Sequence, residues 1–201
     1  MKNMWKDTLI LFVITLFAGL ILSVVYEVTK EPIAVQEEKA RQEAFAAVFE
    51  GATSFETVEV SDSEAILSDH GITGLTVNEV VKALDGNGKA LGYCITVTSH
   101  EGYGGDIKLT VGISLDESVN GISILEISET PGLGMKAEEV LQPQFAGKAA
   151  TQFEVTKTGA MSDNQIDAIS GATITSRAVT NAVNGSVTLF HTVLLGGEGN
   201  E

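Results

Sequence analysis

Residues 8–26 form a run of 19 residues, TLILFVITLFAGLILSVVY, that contains no charged side chain. As a helix this run is about 28 Å long, close to the thickness of the hydrocarbon core of a bilayer. The competing interpretation is a cleaved signal peptide, whose apolar region is shorter and ends at small residues. Bulky Val25 and Tyr26 and then charged Glu27 and Lys30 follow instead. The sequence therefore favours an uncleaved transmembrane helix over residues 8–26.

The charges that flank this run indicate an orientation. Lys2 and Lys6 precede it and mainly acidic residues follow it. By the positive-inside rule this pattern places residues 1–7 in the cytoplasm and the rest of the chain outside the cytoplasm. We therefore expect a single-pass protein of the cell membrane, embedded through residues 8–26, with an extracytoplasmic domain.

The composition excludes several classes of partner and cofactor. The formal net charge is -15, and beyond the apolar run ten Lys and Arg stand against twenty-six Asp and Glu. Such a chain has no basic surface for nucleic acid, so we expect no nucleic-acid partner. Cys94 is the single cysteine, which rules out an internal disulfide, an iron-sulfur cluster or a cysteine zinc site. The three histidines lie far apart in the sequence, so no metal site is predicted.

The segment that follows the apolar run has helical periodicity. Glu31 and Pro32 open it, its apolar residues recur at helical spacing, and Gly51 closes it. We interpret residues 27–50 as a membrane-proximal helix or linker. Its exposed face is equally compatible with a solvated linker helix and with a docking surface.

Beyond Gly51 the pattern changes to strands. Residues 77–84 and 90–99 are rich in β-branched and aromatic residues and are separated by the turn Asp-Gly-Asn-Gly. A second pair, residues 106–115 and 122–129, is joined by a polar turn at residues 116–121. A helical pattern over residues 135–145, a short strand near residues 153–157 and a long C-terminal helix from residue 173 follow. This order predicts an α+β domain over residues 51–201, with an antiparallel sheet and flanking helices.

Glycine is concentrated in three segments, residues 101–105, 129–134 and 167–175. Glycine permits positive φ and lets the backbone approach a ligand closely, although each cluster alone is more typical of a turn. The third segment is more informative, because hydroxyl and small residues crowd the predicted start of the last helix and Arg177 follows within the first turn. Amides, hydroxyls and a guanidinium at a helix start form an anion site. Ordinary N-capping by Ser170 or Thr173 explains the same spacing.

These segments resemble the FMN-binding domain family. The run D-x-x-S-G-A-T at residues 167–173 is similar to the motif at which an FMN transferase couples the phosphate of FMN to the final threonine. The run E-T-P-G-L-G at residues 129–134 resembles the family loop that lies against the flavin, and G-Y-x-G at residues 102–105 also matches. The family includes the G subunit of the Rnf ferredoxin:NAD⁺ oxidoreductase and the C subunit of the sodium-pumping NADH:quinone reductase. A domain of roughly 150 residues resembles that of the Rnf family member more closely, since the C subunit is longer.

The resemblance assigns roles to individual residues. Thr173 is similar to the threonine that carries the phosphoester, and Thr175 is the rival acceptor two residues on. The transferase would recognise Asp167, Ser170, Gly171 and Ala172. Arg177 is placed beside the phosphate by the anion-site pattern and not by the resemblance. Glu129, Thr130, Leu133 and Tyr103 match positions that would line the isoalloxazine. Ala168 stands where the family usually has glycine.

The resemblance also implies a function. The chain would be a membrane-anchored electron-transfer subunit with covalently bound FMN, which relays electrons in an oxidoreductase that translocates Na⁺ or H⁺. It would be part of an enzyme without being a catalyst alone, so no catalytic residue is predicted. Its partners would be the other subunits of the redox pump and, during maturation, the FMN transferase. The alternatives are the C subunit of the quinone-reductase pump, a free-standing anchored flavoprotein, and a cofactor-free anchored binding domain.

Overall fold

A computed structural model describes residues 2–195 of the chain. Met1 and residues 196–201, the outer ends of the predicted segments 1–7 and 51–201, lie outside the described residues. The helices are α1 (Lys2–Val48), α2 (Ser63–Asp69), α3 (Ala137–Val140), α4 (Gln142–Phe145) and α5 (Thr173–Leu189), with a 3₁₀ turn at Gly134–Lys136 and a π-helix at Phe190–Leu194. The strands are β1 (Ser54–Thr57), β2 (Leu75–Leu84), β3 (Ala90–Ser99), β4 (Ile107–Ser114), β5 (Ser118–Ile127), β6 (Lys148–Ala149), β7 (Glu154–Thr156) and β8 (Gln165–Asp167).

The chain divides into two compact units, Met1–Gln42 and Glu43–Glu201. The described part of the first unit is helical throughout. It is long and apolar enough to cross a membrane, judged by length and composition, and the predicted transmembrane residues 8–26 fall within it. Their apolar side chains are exposed in the isolated chain, as expected of residues that face lipid.

Helix α1 differs from the sequence-based prediction at Pro32. We expected a new helix to open at Glu31 and Pro32, but α1 continues through both without a break. Proline removes one helical hydrogen bond and disfavours a helix interior, which is why the sequence suggested a boundary. Strong helix formers such as Glu31, Glu37 and Glu38 surround it here, and a single missing bond is tolerated in a 47-residue helix. The charged face beyond Pro32 includes an ion pair of 2.7 Å between Arg41 and Glu38.

The second unit is built on a six-stranded antiparallel sheet with the order β1-β2-β3-β4-β5-β6. The four long strands confirm the two predicted hairpins, and the α+β class is confirmed. The second hairpin is tighter than predicted, because β5 begins at Ser118 and not after residue 121. Asp116 closes this turn, since its carboxylate accepts hydrogen bonds from the Ser118 amide (3.1 Å) and hydroxyl (2.6 Å), and Glu117 adopts φ 63°.

Several short elements were not predicted. Strands β1, β6 and β8 and helix α2 have four, two, three and seven residues, too few to establish a period. The helix predicted over residues 135–145 is instead a 3₁₀ turn followed by α3 and α4, with Pro143 at the start of α4. Strand β7 confirms the predicted short strand, and it pairs in parallel with β8.

The sheet is covered on both faces. Helix α5 packs against β3 and β4, so that Ile95, Leu109 and Val179 are fully buried in the main core. On the opposite face the last turn of α1 packs against β2 and β3. Gly112 makes this contact possible, because a Cβ there would lie 2.7 Å from the Cβ of Val48. The core therefore fixes α5, and with it the glycine-rich segment at its start.

Candidate cofactor-binding site

The structure brings the three glycine-rich segments to one cavity of about 500 Å³. Tyr103 comes from the first segment, Glu129, Thr130, Leu133 and Gly134 from the second, and residues 171–175 from the third. This volume lies in the range of small-molecule and cofactor sites. Eight of the eleven predicted cofactor residues line it.

The sheet explains why the first two segments meet. Strands β4 and β5 are antiparallel neighbours, and Ile107 at the start of β4 pairs with Ile127 at the end of β5. The loop before β4 and the loop after β5 therefore leave the sheet at the same edge. A hydrogen bond joins them, because the Tyr103 amide donates to Oε1 of Glu129 at 2.7 Å. Glu129 is 7% exposed, so its carboxylate is held in place between the two loops.

Glycine residues shape the wall of the cavity. A Cβ at Gly134 would lie 2.7 Å from the Cβ of Glu129 and 2.8 Å from the Thr175 hydroxyl, so a side chain there would collide with both segments. Gly171 has φ +79°, and a Cβ there would lie 3.1 Å from Cδ2 of Leu133. Only glycine adopts that backbone conformation without strain. These two positions explain why glycine is needed where the second and third segments approach each other.

The first residues of α5 line the cavity, and their backbone amides have no helical partners. The amide of Ser176 makes the first helical bond, to the carbonyl of Ala172 at 3.0 Å. The amides of residues 173–175 precede that bond, and the N-cap residue, Ala172, makes no side-chain cap hydrogen bond. The alternative that Ser170 or Thr173 caps this helix is therefore not observed. Uncapped amides and the positive end of the helix dipole favour an anion at this place.

Ser176 holds the loop that leads into α5. Its hydroxyl accepts a hydrogen bond from the Ile169 amide at 3.0 Å and donates one to the Ala172 carbonyl at 2.9 Å. The side chain is fully buried. No sequence pattern indicated Ser176, because a serine within a helix gives no sign that its hydroxyl binds a preceding loop.

The two candidate acceptor threonines differ in accessibility. Thr173 is half-buried, while Thr175 is only 1% exposed and lies against Gly134. Both line the cavity. Thr173 is therefore the more accessible of the two residues.

Three predicted residues lie outside the lining of this cavity. Ser170 is exposed and immediately precedes it. Asp167 ends β8, where its backbone is held by the side chain of Gln144: Oε1 accepts from the Asp167 amide at 2.7 Å and Nε2 donates to the Asp167 carbonyl at 3.1 Å. Arg177 is exposed and lines a second cleft.

Two lining residues were missed. Gly134 belonged to the recognised E-T-P-G-L-G run, and its closeness to Thr175 appears only in three dimensions. Ile174 is 53% exposed, and Leu133 is 40% exposed. This exposure is visible only in the folded chain, so no sequence pattern indicated Ile174.

The single thiol lies away from the cavity. Cys94 is fully buried between the sheet and the last turn of α1. Burial raises its pKa well above the ordinary value for a thiol, and the charge of Glu79 adds to the effect. The neutral thiol is therefore the stable form, and it acts as a small core side chain.

Comparisons with known proteins match two parts of the chain to families. Residues 102–188 match the FMN-binding domain family, and residues 1–48 match the RnfG N-terminal region. The first match includes all three glycine-rich segments apart from residue 101, and the second includes the whole of α1.

Related proteins extend the similarity over nearly the whole chain. The G subunit of the Na⁺-translocating ferredoxin:NAD⁺ oxidoreductase complex of Acetobacterium woodii is 37% identical over 94% of this chain and 92% of the relative. The G subunit of the ion-translocating oxidoreductase complex of Methanosarcina acetivorans is 32% identical over 92% of this chain and 94% of the relative. The G subunit of the proton-translocating ferredoxin:NAD⁺ oxidoreductase complex of Clostridium ljungdahlii is 33% identical over 85% of this chain and 82% of the relative. The chain belongs to the family of G subunits of Rnf ion-translocating oxidoreductase complexes.

Among solved structures, the crystal structure of Shewanella oneidensis NqrC aligns with 57% of this chain and 58% of that chain. The sequence identity is 25% and the TM-score is 0.46.

The residues around the cavity fit FMN. Leu133, Ile174 and Tyr103 expose apolar surface that suits a planar ring system. The uncapped amides at the start of α5 suit a phosphate, and the Thr173 hydroxyl stands beside them. The cavity thus offers an apolar region and an anion-binding region within one volume.

Proposed function

We propose that this chain carries FMN as a phosphoester on Thr173 and relays electrons as the G subunit of a redox-driven cation pump. The observation that supports this most is the position of Thr173. It is the accessible hydroxyl at an uncapped helix start, in a cavity built from all three glycine-rich segments.

The attachment is one substitution at phosphorus. The Thr173 oxygen forms a bond to the phosphorus of a flavin nucleotide whose phosphate carries a leaving group. The bond between phosphorus and that leaving group breaks, and the hydroxyl proton is lost to the leaving group or to solvent. Thr173 is thus a nucleophile once, during maturation, and an FMN transferase supplies the catalysis. The mass of the product exceeds that of the unmodified chain by the mass of FMN minus the mass of one water molecule.

The bound cofactor supplies one-electron and two-electron redox chemistry, because a link through phosphate leaves the ring system unchanged. The residues of the chain bind and orient it. The amides of residues 173–175 would hold the phosphate and Leu133 and Ile174 would line the site of the ring, while Glu129 links the first two glycine-rich segments. Ser170 is exposed and Asp167 is half-buried, and both lie on the segment that leads to Thr173; these are the residues that a modifying enzyme would recognise.

The membrane orientation explains why a covalent link is useful. With residues 1–7 in the cytoplasm, residues 8–26 in the membrane and residues 51–201 outside, the domain has no access to the cytoplasmic pool of FMN. An ester retains the flavin where free exchange would lose it. The other subunits of the complex are the partners between which electrons pass, and their transfer is coupled to the movement of Na⁺ or H⁺.

The acceptor assignment is tested by flavin fluorescence in a denaturing gel after co-expression with an FMN transferase. Wild type and Thr175→Ala are expected to give a fluorescent band, and Thr173→Ala is expected to give none. Thr173→Ser keeps the hydroxyl and is the matched control, which should retain the band. A band that persists in Thr173→Ala and disappears in Thr175→Ala would place the link on Thr175.

A further inference from the structure

A second cleft of about 510 Å³ lies between α5 and strand β7. Arg177, Thr180 and Asn184 line it from the helix, and Val155 lines it from the strand. Arg177 is one helical turn beyond Thr173, so this cleft and the cofactor cavity share the first two turns of α5. No step of the proposed flavin attachment uses the second cleft.

Strand β7 has an open edge in this cleft. Its bonds to β8 use Glu154, whose amide donates to Asn164 at 2.9 Å, and Thr156, whose carbonyl accepts from Ala168 at 2.8 Å. Because backbone groups alternate along a strand, those of Phe153 and Val155 point to the other edge.

Phe153 and Val155 differ in whether their backbone groups at this edge have hydrogen-bond partners. The side chain of Asn184 bonds both backbone groups of Phe153: Oδ1 accepts from the amide at 2.7 Å and Nδ2 donates to the carbonyl at 2.9 Å. At Val155, two residues further on, no strand of the described chain occupies this side, since the sheet of β7 and β8 has two strands. The amide and carbonyl of Val155 therefore face the cleft.

Thr180 adds an unsatisfied hydroxyl. The residue is 3% exposed, and its Oγ1 is buried without a hydrogen-bond partner in the described chain. A buried hydroxyl without a partner is unfavourable and is uncommon in folded proteins. Thr180 lines the cleft, and threonine in a helix has two accessible χ1 rotamers, so its hydroxyl has the freedom to take a partner there.

The charges around the cleft have both signs. Arg177 is exposed and makes no ion pair within residues 2–195. Glu101 and Glu154 also line the cleft, and Glu101 accepts a hydrogen bond from Asn181 at 2.8 Å. The two carboxylates disfavour a small free anion. They are compatible with a ligand that brings one carboxylate to Arg177 and uncharged amide groups elsewhere.

We propose that this cleft binds an extended polypeptide segment of a partner subunit, which pairs with the Val155 edge of β7 and places a carboxylate against Arg177. Main-chain hydrogen bonds to a strand edge are a common way of binding an extended peptide. The inference rests on the proposed function to the extent that a partner subunit must exist. It places that partner within two helical turns of Thr173, where an electron carrier needs its neighbour.

The test measures binding of the full-length subunit in detergent to the complex purified without it. Thr180→Val keeps the shape of the side chain and removes the hydroxyl, and it is expected to weaken binding about tenfold, the effect of one hydrogen bond. Arg177→Gln is expected to weaken it by about tenfold or more. Thr188→Val is the matched control on the same helix, because the Thr188 hydroxyl accepts from Gln152 at 3.0 Å outside the cleft, and its affinity should be unchanged.

Hydrogen exchange gives an independent readout. The Val155 amide is expected to exchange readily in the isolated subunit and to be protected in the assembled complex. An amide that stays unprotected after assembly would overturn the inference, as would wild-type affinity in both Thr180→Val and Arg177→Gln. Equal protection of the isolated subunit by excess inorganic phosphate would show that the cleft binds a small anion instead, which also contradicts the proposal.

The flavin content of each preparation separates this inference from the proposed function. Thr180→Val is expected to carry flavin as wild type does. Thr173→Ala is expected to lack flavin and to bind the complex with unchanged affinity. If Thr173→Ala retains covalent flavin, the assignment of Thr173 as the acceptor is wrong, while the binding results for the cleft are unaffected.

Discussion

The two cavities that share helix α5 have nearly equal volumes, about 500 and 510 Å³, but their walls differ in chemical character. Glycine shapes the first, which exposes Leu133 and Ile174 and collects the free amides of a helix start. The second is bounded by Asn184, hydrogen-bonded to the strand backbone, and by charged side chains. The difference teaches that volume alone does not identify a cofactor site. An apolar region beside an anion site suits a flavin nucleotide, whereas an open strand edge suits a polypeptide.

The largest effect on flavin binding is expected from a substitution that fills the first cavity. Gly134→Ala places a Cβ 2.7 Å from the Cβ of Glu129 and 2.8 Å from the Thr175 hydroxyl. Overpacking of this kind costs about 1–3 kcal/mol and shifts the surrounding backbone. We expect most of the covalent flavin to be lost, measured as the ratio of flavin absorbance to protein.

Gly121→Ala is the control for that variant, because a Cβ at Gly121 would meet nothing within 4 Å. Its flavin content should equal that of wild type. Full loading of Gly134→Ala would mean that the flavin does not occupy this cavity.

A second prediction concerns the loop before α5. Ser176→Ala removes the acceptor of the Ile169 amide, and a buried amide left without a partner costs about 1–3 kcal/mol. We expect a lower free energy of unfolding and slower flavin loading, because the loop that positions Thr173 loses its support.

Ser186→Ala is the matched control in the same helix. Its hydroxyl is equally buried but only donates to the Ala182 carbonyl. It should lower the free energy of unfolding less than Ser176→Ala does and leave the loading rate unchanged. Equal loading rates in both variants would show that Ser176 has no positioning role.

A smaller effect is expected at Gly171, where alanine would adopt a left-handed conformation that costs about 1–2 kcal/mol. Gly159 has φ +94° and open space around it, so Gly159→Ala carries similar backbone strain far from the cavity. Both variants should melt at lower temperature by similar amounts. Only Gly171→Ala should also load flavin more slowly, because its Cβ lies 3.1 Å from Leu133. Equal loading in the two variants would contradict a role for Gly171 beyond backbone conformation.

The sequence predicts the parts of the fold that have a clear period or turn chemistry. The strands of the two hairpins and the long helix α5 are of this kind. Pro32 misled the prediction for α1, because a local rule for proline cannot weigh the stability of the helix on both sides. Strands β6 and β8 are too short to predict, since tertiary pairing rather than local preference forms them.

The candidate site was predicted in a similar way. The motifs indicated Tyr103, Glu129 and Thr173, and the hairpin register explains why the first two meet. The closeness of Gly134 to Thr175 depends on the packing of α5 against the sheet, which no short pattern encodes. Arg177 was predicted to lie beside the phosphate because it is near in sequence. The structure places it on the second cleft, so its contribution to the phosphate site stays a prediction.

The central claim is the bond between Thr173 and the phosphate of FMN, and intact mass measures it most directly. The mass of the full-length chain purified from its complex is expected to exceed that of its amino acids by the mass of FMN minus one water molecule. The Thr173→Ala variant, purified in the same way, is expected to show no increment. A wild-type chain that weighs only what its amino acids weigh, or an increment that persists in Thr173→Ala, would contradict the account.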